Sequence, residues 1–297
     1  MIEMQEVSVR YGRADALHGL SLSVPQHAAF ALLGANGAGK TTLIRTLMNI
    51  LSPSRGTAQV MGIDSRRLGP AQFAKIGFVS ENQKMPDRMT VAQFLAYLRP
   101  FYPSWDKDLE AALFARLDLP NGRRIGHLSH GMKMKLRLIA ALSFRPTLLL
   151  LDEPLSGLDP LIRDEFLEGV LDQAEGTTIL ISSHELHEIE GFATHVGFIE
   201  SGSLLFQQSI DDLRARVRAV EVTLEVDARL PAAMPDHWLD VKAAGSVVSF
   251  VDVQFTPFDL EPRIAARFGA IRRLEVRPVG LRPTFTAIAR SLRRKEA

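Results

Sequence analysis

Cysteine is missing from all 297 residues, so disulfides, zinc–thiolate sites, iron–sulfur clusters and thiol catalysis are excluded. Long apolar runs are missing too, since the most apolar segment, residues 147–151, is far shorter than the roughly 18 residues of a membrane helix. The first residues carry neither a basic segment nor an apolar one, so no secretion signal is expected. With 35 basic and 34 acidic side chains, the net charge of +1 gives no general attraction to nucleic acid or to an anionic membrane. We expect a cytoplasmic protein with no nucleic-acid partner.

The first two hundred residues alternate short apolar runs with helical stretches. Such continuous apolar runs are typical of strands that are covered on both faces, and helices between them favour parallel crossovers. The sequence therefore predicts an α/β fold with a mainly parallel sheet. The predicted buried strands are residues 28–33, 147–151, 178–182 and 196–200.

Two further regions depart from this alternation. Helical periodicity dominates residues 90–142, which predicts a helical insert between two strands of the sheet. After about residue 209, apolar and polar side chains alternate at 220–226 and 251–255, a pattern typical of half-buried strands, and prolines predict a loop at 230–235. We expect residues 209–297 to form a small α+β extension.

Residues 34–42, Gly-Ala-Asn-Gly-Ala-Gly-Lys-Thr-Thr, match the pattern G-x-x-x-x-G-K-[ST] between an apolar strand and a helix predicted at 40–51. Glycines let the backbone wrap a phosphate chain, and successive N–H groups then form an anion-binding concavity at the helix N-terminus. Lys40 is expected to reach the β- and γ-phosphates, and the Thr41 hydroxyl to bind Mg²⁺. The loop by itself predicts a nucleoside triphosphate but no particular reaction.

Two carboxylates, Asp152 and Glu153, follow the apolar strand at 147–151. Asp152 is expected to hold Mg²⁺, and Glu153 to polarise the water that attacks the γ-phosphate. The alternative is a solvated acidic strand end, which is common at turns.

Together these motifs resemble the ATP-binding subunit of an ATP-binding-cassette (ABC) transporter over about residues 1–205. The resemblance implies a P-loop ATPase core at 1–208 with a mainly parallel sheet, a helical subdomain at about 84–145, and the extension at 209–297. It implies ATP and Mg²⁺ as cofactors. It also implies nucleotide contacts at these positions: Tyr11, Gly34, Asn36, Gly37, Ala38, Gly39, Lys40, Thr41, Thr42, Ser129, Gly131 and Asp159.

The resemblance also assigns roles to single residues. Tyr11 matches the aromatic side chain on which the adenine stacks, although a plain strand tyrosine is the alternative. Glu81 stands where the family usually has a glutamine that contacts Mg²⁺ or the attacking water, so Glu81 is expected in both the metal and the catalytic set, with Gln83 as the alternative. His184 matches the family's switch histidine, which contacts the γ-phosphate beside the catalytic Glu153.

Two loops are expected to reach across a dimer interface. Residues 128–132, Leu-Ser-His-Gly-Met, stand where the family signature is Leu-Ser-Gly-Gly-Gln, so that Ser129 and Gly131 would cap the γ-phosphate of the other protomer. His130 and Met132 depart from that signature. Residues 156–160, with Asp159, match the loop that helps to position the opposite site. Each segment also reads as an ordinary helix cap.

The resemblance implies an ATP-hydrolysing subunit of a homodimer or heterodimer that energises a separate transmembrane permease at the inner face of the cell membrane. Export is favoured over import, and the cargo is not encoded in this chain. A soluble ABC ATPase without a transport role, or an ATPase-impaired regulatory half of a heterodimer, are the alternatives. Aromatic residues of the insert are expected to help form a groove for a short permease helix, or simply to be core: Phe94, Tyr97, Phe101, Tyr102 and Trp105. The basic C-terminal end is a solvated helix end or a contact for anionic lipid.

Overall fold

The computed structural model describes residues 1–12, 14–171, 176–184, 191–231 and 234–296. The chain divides into two compact units, Met1–Gln207 and Gln208–Ala297. Over the described ranges, no helix is both long enough and apolar enough to cross a membrane.

The first unit opens with an antiparallel sheet in the order β2-β1-β4-β5. Its strands are β1 (Ile2–Tyr11), β2 (Ala14–Val24), β4 (Arg55–Val60) and β5 (Ile63–Asp64). The apolar side chains of β1 and β2 alternate with exposed polar ones, and they form one buried cluster with the phosphate-loop helix. The sequence pattern does not predict this sheet, because register shifts within β1 and β2 interrupt the alternation of apolar and polar side chains.

The second sheet of this unit has the order β10-β9-β3-β8-β7-β6, with parallel pairing from β9 through to β6. The four predicted buried strands are confirmed within a residue or two. Its strands are β3 (Ala29–Leu33), β6 (Ile76–Ser80), β7 (Leu148–Asp152), β8 (Thr178–Ser183), β9 (His195–Glu200) and β10 (Ser203–Ser209).

The helices of the first unit are α1 (Lys40–Leu47), α2 (Pro70–Phe73), α3 (Val91–Leu98), α4 (Lys107–Leu117), α5 (His130–Leu142) and α6 (Pro160–Leu171). The segment from α3 to α5 lies between β6 and β7 in the chain, as the helical insert requires. Helix α1 is shorter than the predicted span of 40–51, and that prediction is wrong at its end. Asn49 adopts a left-handed φ of 55°, and the Ile50 N–H donates to the Arg45 carbonyl, which terminates the helix.

Helix α1 is fixed to the sheets by its apolar face. Leu43, Ile44 and Leu47 are fully buried in one cluster with Phe30 and Leu32 of β3. This packing holds the N-terminal end of α1 at the end of β3, where the glycine-rich loop joins them.

The second unit is built on an antiparallel sheet in the order β12-β13-β11-β14, which agrees with the predicted α+β extension. The strand predicted at 251–255 is displaced, because Asp252 accepts a hydrogen bond from the Gln254 N–H and turns the chain there. The loop predicted at 230–235 lies partly outside the described residues, as do the side chains of the basic C-terminal end. The elements are α7 (Ile210–Arg216), β11 (Arg218–Leu224), β12 (Trp238–Ala244), β13 (Val247–Asp252), α8 (Leu260–Phe268), β14 (Ile271–Pro278) and α9 (Leu281–Glu296).

Candidate nucleotide-binding site

The parallel register brings four strand ends to one edge of the sheet. Asp152 at the end of β7 lies opposite Ser80 of β6 and Ser182 of β8, and Leu33 at the end of β3 lies opposite Ser183. Ligands of open parallel sheets bind at the carboxyl ends of the strands. The predicted motifs that follow β3, β6, β7 and β8 therefore meet at one place.

The glycines of the phosphate loop are required by its geometry. A Cβ on Gly34 would lie 2.3 Å from the Ile199 carbonyl oxygen, so no side chain fits there. Gly39 has a φ of 111° and immediately precedes α1, and Gly37 has a φ of 81° at an open turn. Asn36 is exposed at the tip of the loop, whereas Ala38 and Thr42 are buried.

The side chain of Lys40 is buried beneath this loop. Its Nζ donates to the carbonyl oxygens of Gly34 at 2.5 Å and Ala35 at 3.0 Å, and it lies 2.9 Å from Glu153 Oε1. One ammonium group thus joins the loop after β3 to the carboxylate after β7.

Asp152 is only 5% exposed and accepts three hydroxyl hydrogen bonds. Thr41 Oγ1 donates to Asp152 Oδ1 at 3.1 Å, Ser182 Oγ to the same oxygen at 3.0 Å, and Ser80 Oγ to Oδ2 at 3.5 Å. Burial raises the pKa of Asp152, while the bonds from Ser182 and Thr41 act in the opposite direction.

Glu153 occupies a special backbone position at this edge. Its φ of 50° lies in the left-handed region, and its N–H donates to Ser182 Oγ at 2.9 Å. The carboxylate lies between two partners, with Oε1 at Lys40 and Oε2 3.0 Å from His184 Nδ1. Three of the predicted residues, Lys40, Glu153 and His184, thus form one chain of contacts. With the neighbouring Asp152 they make up the edge cluster. The rest of the motif after His184, from Glu185 on, lies outside the described residues.

Four other predicted residues are not part of the edge cluster. In the described part of the chain, no hydrogen bond or ion pair joins Tyr11, Ser129, Gly131 or Asp159 to it. Tyr11 ends β1 with 44% of its side chain exposed. Ser129 is exposed and caps α5 by accepting from the Met132 N–H, and Asp159 caps α6 by accepting from the Ile162 N–H.

The signature segment and the loop that follows Glu153 touch each other within one chain. His130 Nε2 lies 3.1 Å from the Ser156 carbonyl oxygen. A Cβ on Gly131 would lie 3.1 Å from Ile162 of α6, so this position is closely packed. The histidine that departs from the family signature therefore bridges two of the predicted motifs.

Glu81 and Gln83 take different surroundings after β6. The Glu81 N–H is 3.4 Å from the Asp152 carbonyl oxygen, which keeps its backbone at the sheet edge. Gln83 instead lines a groove beside α5, and its backbone carbonyl accepts from Arg137 at 2.7 Å. Of the two, Glu81 is thus the residue whose backbone contacts the Asp152 strand end.

No motif in the sequence assigns a role to Ser80 or Ser182, which donate to Asp152 beside Thr41. The available signal was weak: both are small polar residues at the ends of apolar strands. Their partner becomes visible only when the strand register is known.

The chain is similar to known proteins of one family. A family profile described as ABC transporter matches residues 17–156. The chain is 31% identical over 232 residues to the ABC transporter ATP-binding protein YtrB of Bacillus subtilis, with 77% of this chain and 79% of that protein covered. It is 33% identical over 244 residues to the Nod factor export ATP-binding protein I of Paraburkholderia xenovorans, with 80% and 79% covered. A solved ATP-binding subunit of an ABC transporter superposes with a TM-score of 0.66 at 26% identity, over 72% of this chain and 92% of that one.

The fold and the edge cluster define a P-loop ATPase. The chain belongs to the ATP-binding proteins of the ABC transporter family: it is an ATPase that binds ATP and has a general role in transport.

Proposed function

We propose that this chain hydrolyses ATP with the residues of the edge cluster and thereby energises export through a separate membrane permease. The contact chain of Lys40, Glu153 and His184, beside Asp152, is the observation that carries the proposal. These groups bring a phosphate-binding cation, a base and a metal-binding carboxylate to one edge of one sheet.

The phosphate loop supplies the nucleotide contacts. Gly34, Gly37 and Gly39 leave the backbone open to the phosphate chain, and Lys40 presents its ammonium to the β- and γ-phosphates. Asn36, Ala38, Thr41 and Thr42 add their backbone N–H groups at the start of α1. Tyr11, with its ring exposed, offers a stacking face for the adenine.

Thr41 and Asp152 would hold Mg²⁺. Neighbouring ligands of an octahedral Mg²⁺ with bonds of 2.0–2.1 Å lie about 3 Å apart, and Thr41 Oγ1 and Asp152 Oδ1 are 3.1 Å apart. The oxygen donors present therefore fit a hard cation. Glu81 is proposed as a further oxygen ligand, and the ion would neutralise charge on the phosphates.

Glu153 is proposed as the general base. Its carboxylate is half-buried and fixed by its backbone bond to Ser182, so it can accept a proton from a water held within one hydrogen bond. His184 orients Glu153 through the 3.0 Å contact and contacts the γ-phosphate. Glu81 helps to place the same water.

The complete site is proposed to require two chains. Ser129, Gly131 and Asp159 make no hydrogen bond or ion pair with the edge cluster of their own chain in the described part, yet all three stand at or beside helix starts that suit an anion. We propose that they close over the ATP of a second ATPase subunit, in a homodimer or a heterodimer. ATP then joins the subunits, and hydrolysis releases them.

The transport pathway is proposed to lie on transmembrane permease subunits, with this chain at the cytoplasmic face of the membrane. We propose the ATPase domain as residues 1–208, with the helical subdomain at about 84–145 facing the permease and residues 209–297 as an extension. Export is favoured because relatives include a Nod factor export protein and a bacitracin transport protein.

Hydrolysis is tested first with the purified chain. We expect phosphate release from ATP that depends on Mg²⁺ and stops when the metal is chelated. Failure to bind ATP at about 1 mM, near the upper limit of usual KM values, would overturn the proposal.

The direction of transport is tested in cells that carry either the natural chain or Lys40→Ala. Export predicts that at least one compound disappears from the medium of the variant strain and accumulates inside its cells. Depletion inside the cells together with persistence in the medium would show import instead.

A further inference from the structure

A groove of about 320 Å³ lies beside the helical insert of the first unit. Most of its lining residues are apolar. Phe78 of β6, Phe94 and Leu98 of α3, Ala140 of α5 and Phe144, which follows α5, are among its walls. The volume corresponds to about ten water molecules, or to a few side chains of a docked peptide.

One buried arginine lies within the apolar lining of this groove. Arg137 of α5 is only 8% exposed, and it lines the groove together with Gln83. Its Nη2 donates to the Gln83 carbonyl oxygen at 2.7 Å, and its Nη1 faces the weak acceptor Sδ of Met134 at 2.9 Å.

The guanidinium of Arg137 makes few hydrogen bonds for a buried cation. Among the residues that the structure describes, neither Arg137 Nε nor Gln83 Oε1 finds a hydrogen-bond partner, although both atoms are buried. In the described part of the chain, no carboxylate lies within ion-pair distance of Arg137. Glu81 is the acidic group whose charge acts on it, and that charge acts from beyond contact.

An unpaired buried charge destabilises a fold unless a partner neutralises it. Arginine forms its strongest contacts with carboxylates, through paired N–H donors. An occupant that fits this groove therefore needs two properties: apolar side chains for the walls and one carboxylate for Arg137.

We infer that Arg137 is a receptor for one acidic side chain, Asp or Glu, on a short amphipathic helix of the permease that docks in this groove. The inference rests on the proposed partnership with a permease and specifies the chemistry of that contact. Arg137 then acts as a specificity determinant, because a permease helix with a neutral residue at this position leaves the buried cation unpaired.

The probes are two hydrocarbon-stapled helical peptides of about 14 residues, close to four turns. Each presents two leucines on one face with a glutamate between them, and in the second peptide glutamine replaces that glutamate. Binding to the full-length chain is measured by fluorescence anisotropy. We expect the glutamate peptide to bind about tenfold more tightly, as one charge-assisted contact provides.

Three variants separate the causes of binding. Arg137→Met keeps much of the side-chain volume and is expected to remove the preference for glutamate. Ala140→Trp fills the groove and leaves the arginine in place, so it is expected to remove binding of both peptides. Arg88→Met, at an exposed arginine before α3, is expected to change neither.

Equal binding of the two peptides to the natural chain, or binding of neither, would overturn the inference. Preserved glutamate preference in Arg137→Met would overturn it as well. Thermal unfolding gives an independent check: loss of an unpaired buried charge predicts that Arg137→Met melts no lower than the natural chain, whereas a fall of more than about 5 °C would show that Arg137 is already compensated. Hydrolysis of ATP by the natural chain is measured alongside, so that a failed ATPase and a failed docking site are distinguished.

Discussion

Lys40 and Glu153 form an ion pair at 2.9 Å between the phosphate loop and the end of β7. The phosphate-binding cation and the proposed general base are thus each other's partners. A γ-phosphate that reaches Lys40 competes with the Glu153 carboxylate for the same ammonium, so the affinity for ATP and the position of the base are linked.

The first prediction follows from this competition. Glu153→Gln removes the competing charge and the base together. We expect ATP to bind about 3- to 10-fold more tightly and to turn over at least about 100-fold more slowly. Equilibrium binding of a fluorescent ATP analogue and steady-state phosphate release measure the two effects. Glu168→Gln, in an exposed ion pair with Arg116, serves as the control. It is expected to change neither ATP affinity nor turnover, since exposed ion pairs contribute little to stability.

The second prediction concerns the ammonium itself. Lys40→Ala is expected to abolish ATP binding or hydrolysis, because no other buried cation of the described residues lies against the phosphate loop. Lys84→Ala, at an exposed lysine, is the matched control and keeps normal turnover. Normal turnover in Lys40→Ala would refute the assignment of the site.

The third prediction concerns the charge of Asp152. Burial raises the pKa of Asp152 in the folded chain above its ordinary value. The ionised carboxylate therefore destabilises the fold at pH values above the raised pKa. This destabilisation disappears as the pH falls from the raised pKa to the ordinary one. Asp152→Asn is therefore expected to raise the melting temperature near pH 7, by a margin that shrinks on acidification, and to lower ATP turnover at least about 100-fold. Thermal scans over a pH series, with Asp87→Asn as an exposed control, test the stability effect. A lower melting temperature at pH 7 would contradict it.

The fourth prediction uses the contact between His130 and Ser156. From the sequence, replacing His130 by Gly and Met132 by Gln is expected to raise activity if the signature is impaired. The structure gives His130 a partner, and a single hydrogen bond contributes about 0.5–1.5 kcal/mol. We therefore expect His130→Gly to lower turnover by up to about tenfold and His130→Gln, which keeps a donor, to restore most of it. An increase in turnover for His130→Gly would show that the contact restrains the site.

The parallel core was predictable because its signals are local. Strands β3, β7, β8 and β9 are short apolar runs, and the spacing of its glycines identifies the phosphate loop. The antiparallel β1 and β2 were missed, since alternating patterns in them are interrupted by register shifts between Met4, Val7 and Val9. Local features at Asn49 and Asp252 end helix α1 and strand β13. The periodicity of apolar residues alone predicts that both elements continue further.

The candidate site was predictable in its motif residues and not in its contacts. Lys40, Asp152 and Glu153 each lie in a recognisable sequence pattern. Only the strand pairing shows that the hydroxyls of Ser80 and Ser182 lie beside Asp152. The same holds for Arg137, because no pattern along the chain shows that a helical arginine is buried without a carboxylate partner. Such relations depend on packing between distant segments.

The most direct test of a site shared between two chains is the solution mass of Glu153→Gln with and without ATP, measured by light scattering on a sizing column. We predict a shift from monomer to dimer that requires ATP, because Ser129 and Gly131 of one chain close over the phosphate loop of the other. A chain that binds ATP and stays monomeric would contradict a site shared between two identical subunits, and it would assign the facing signature to a different partner subunit.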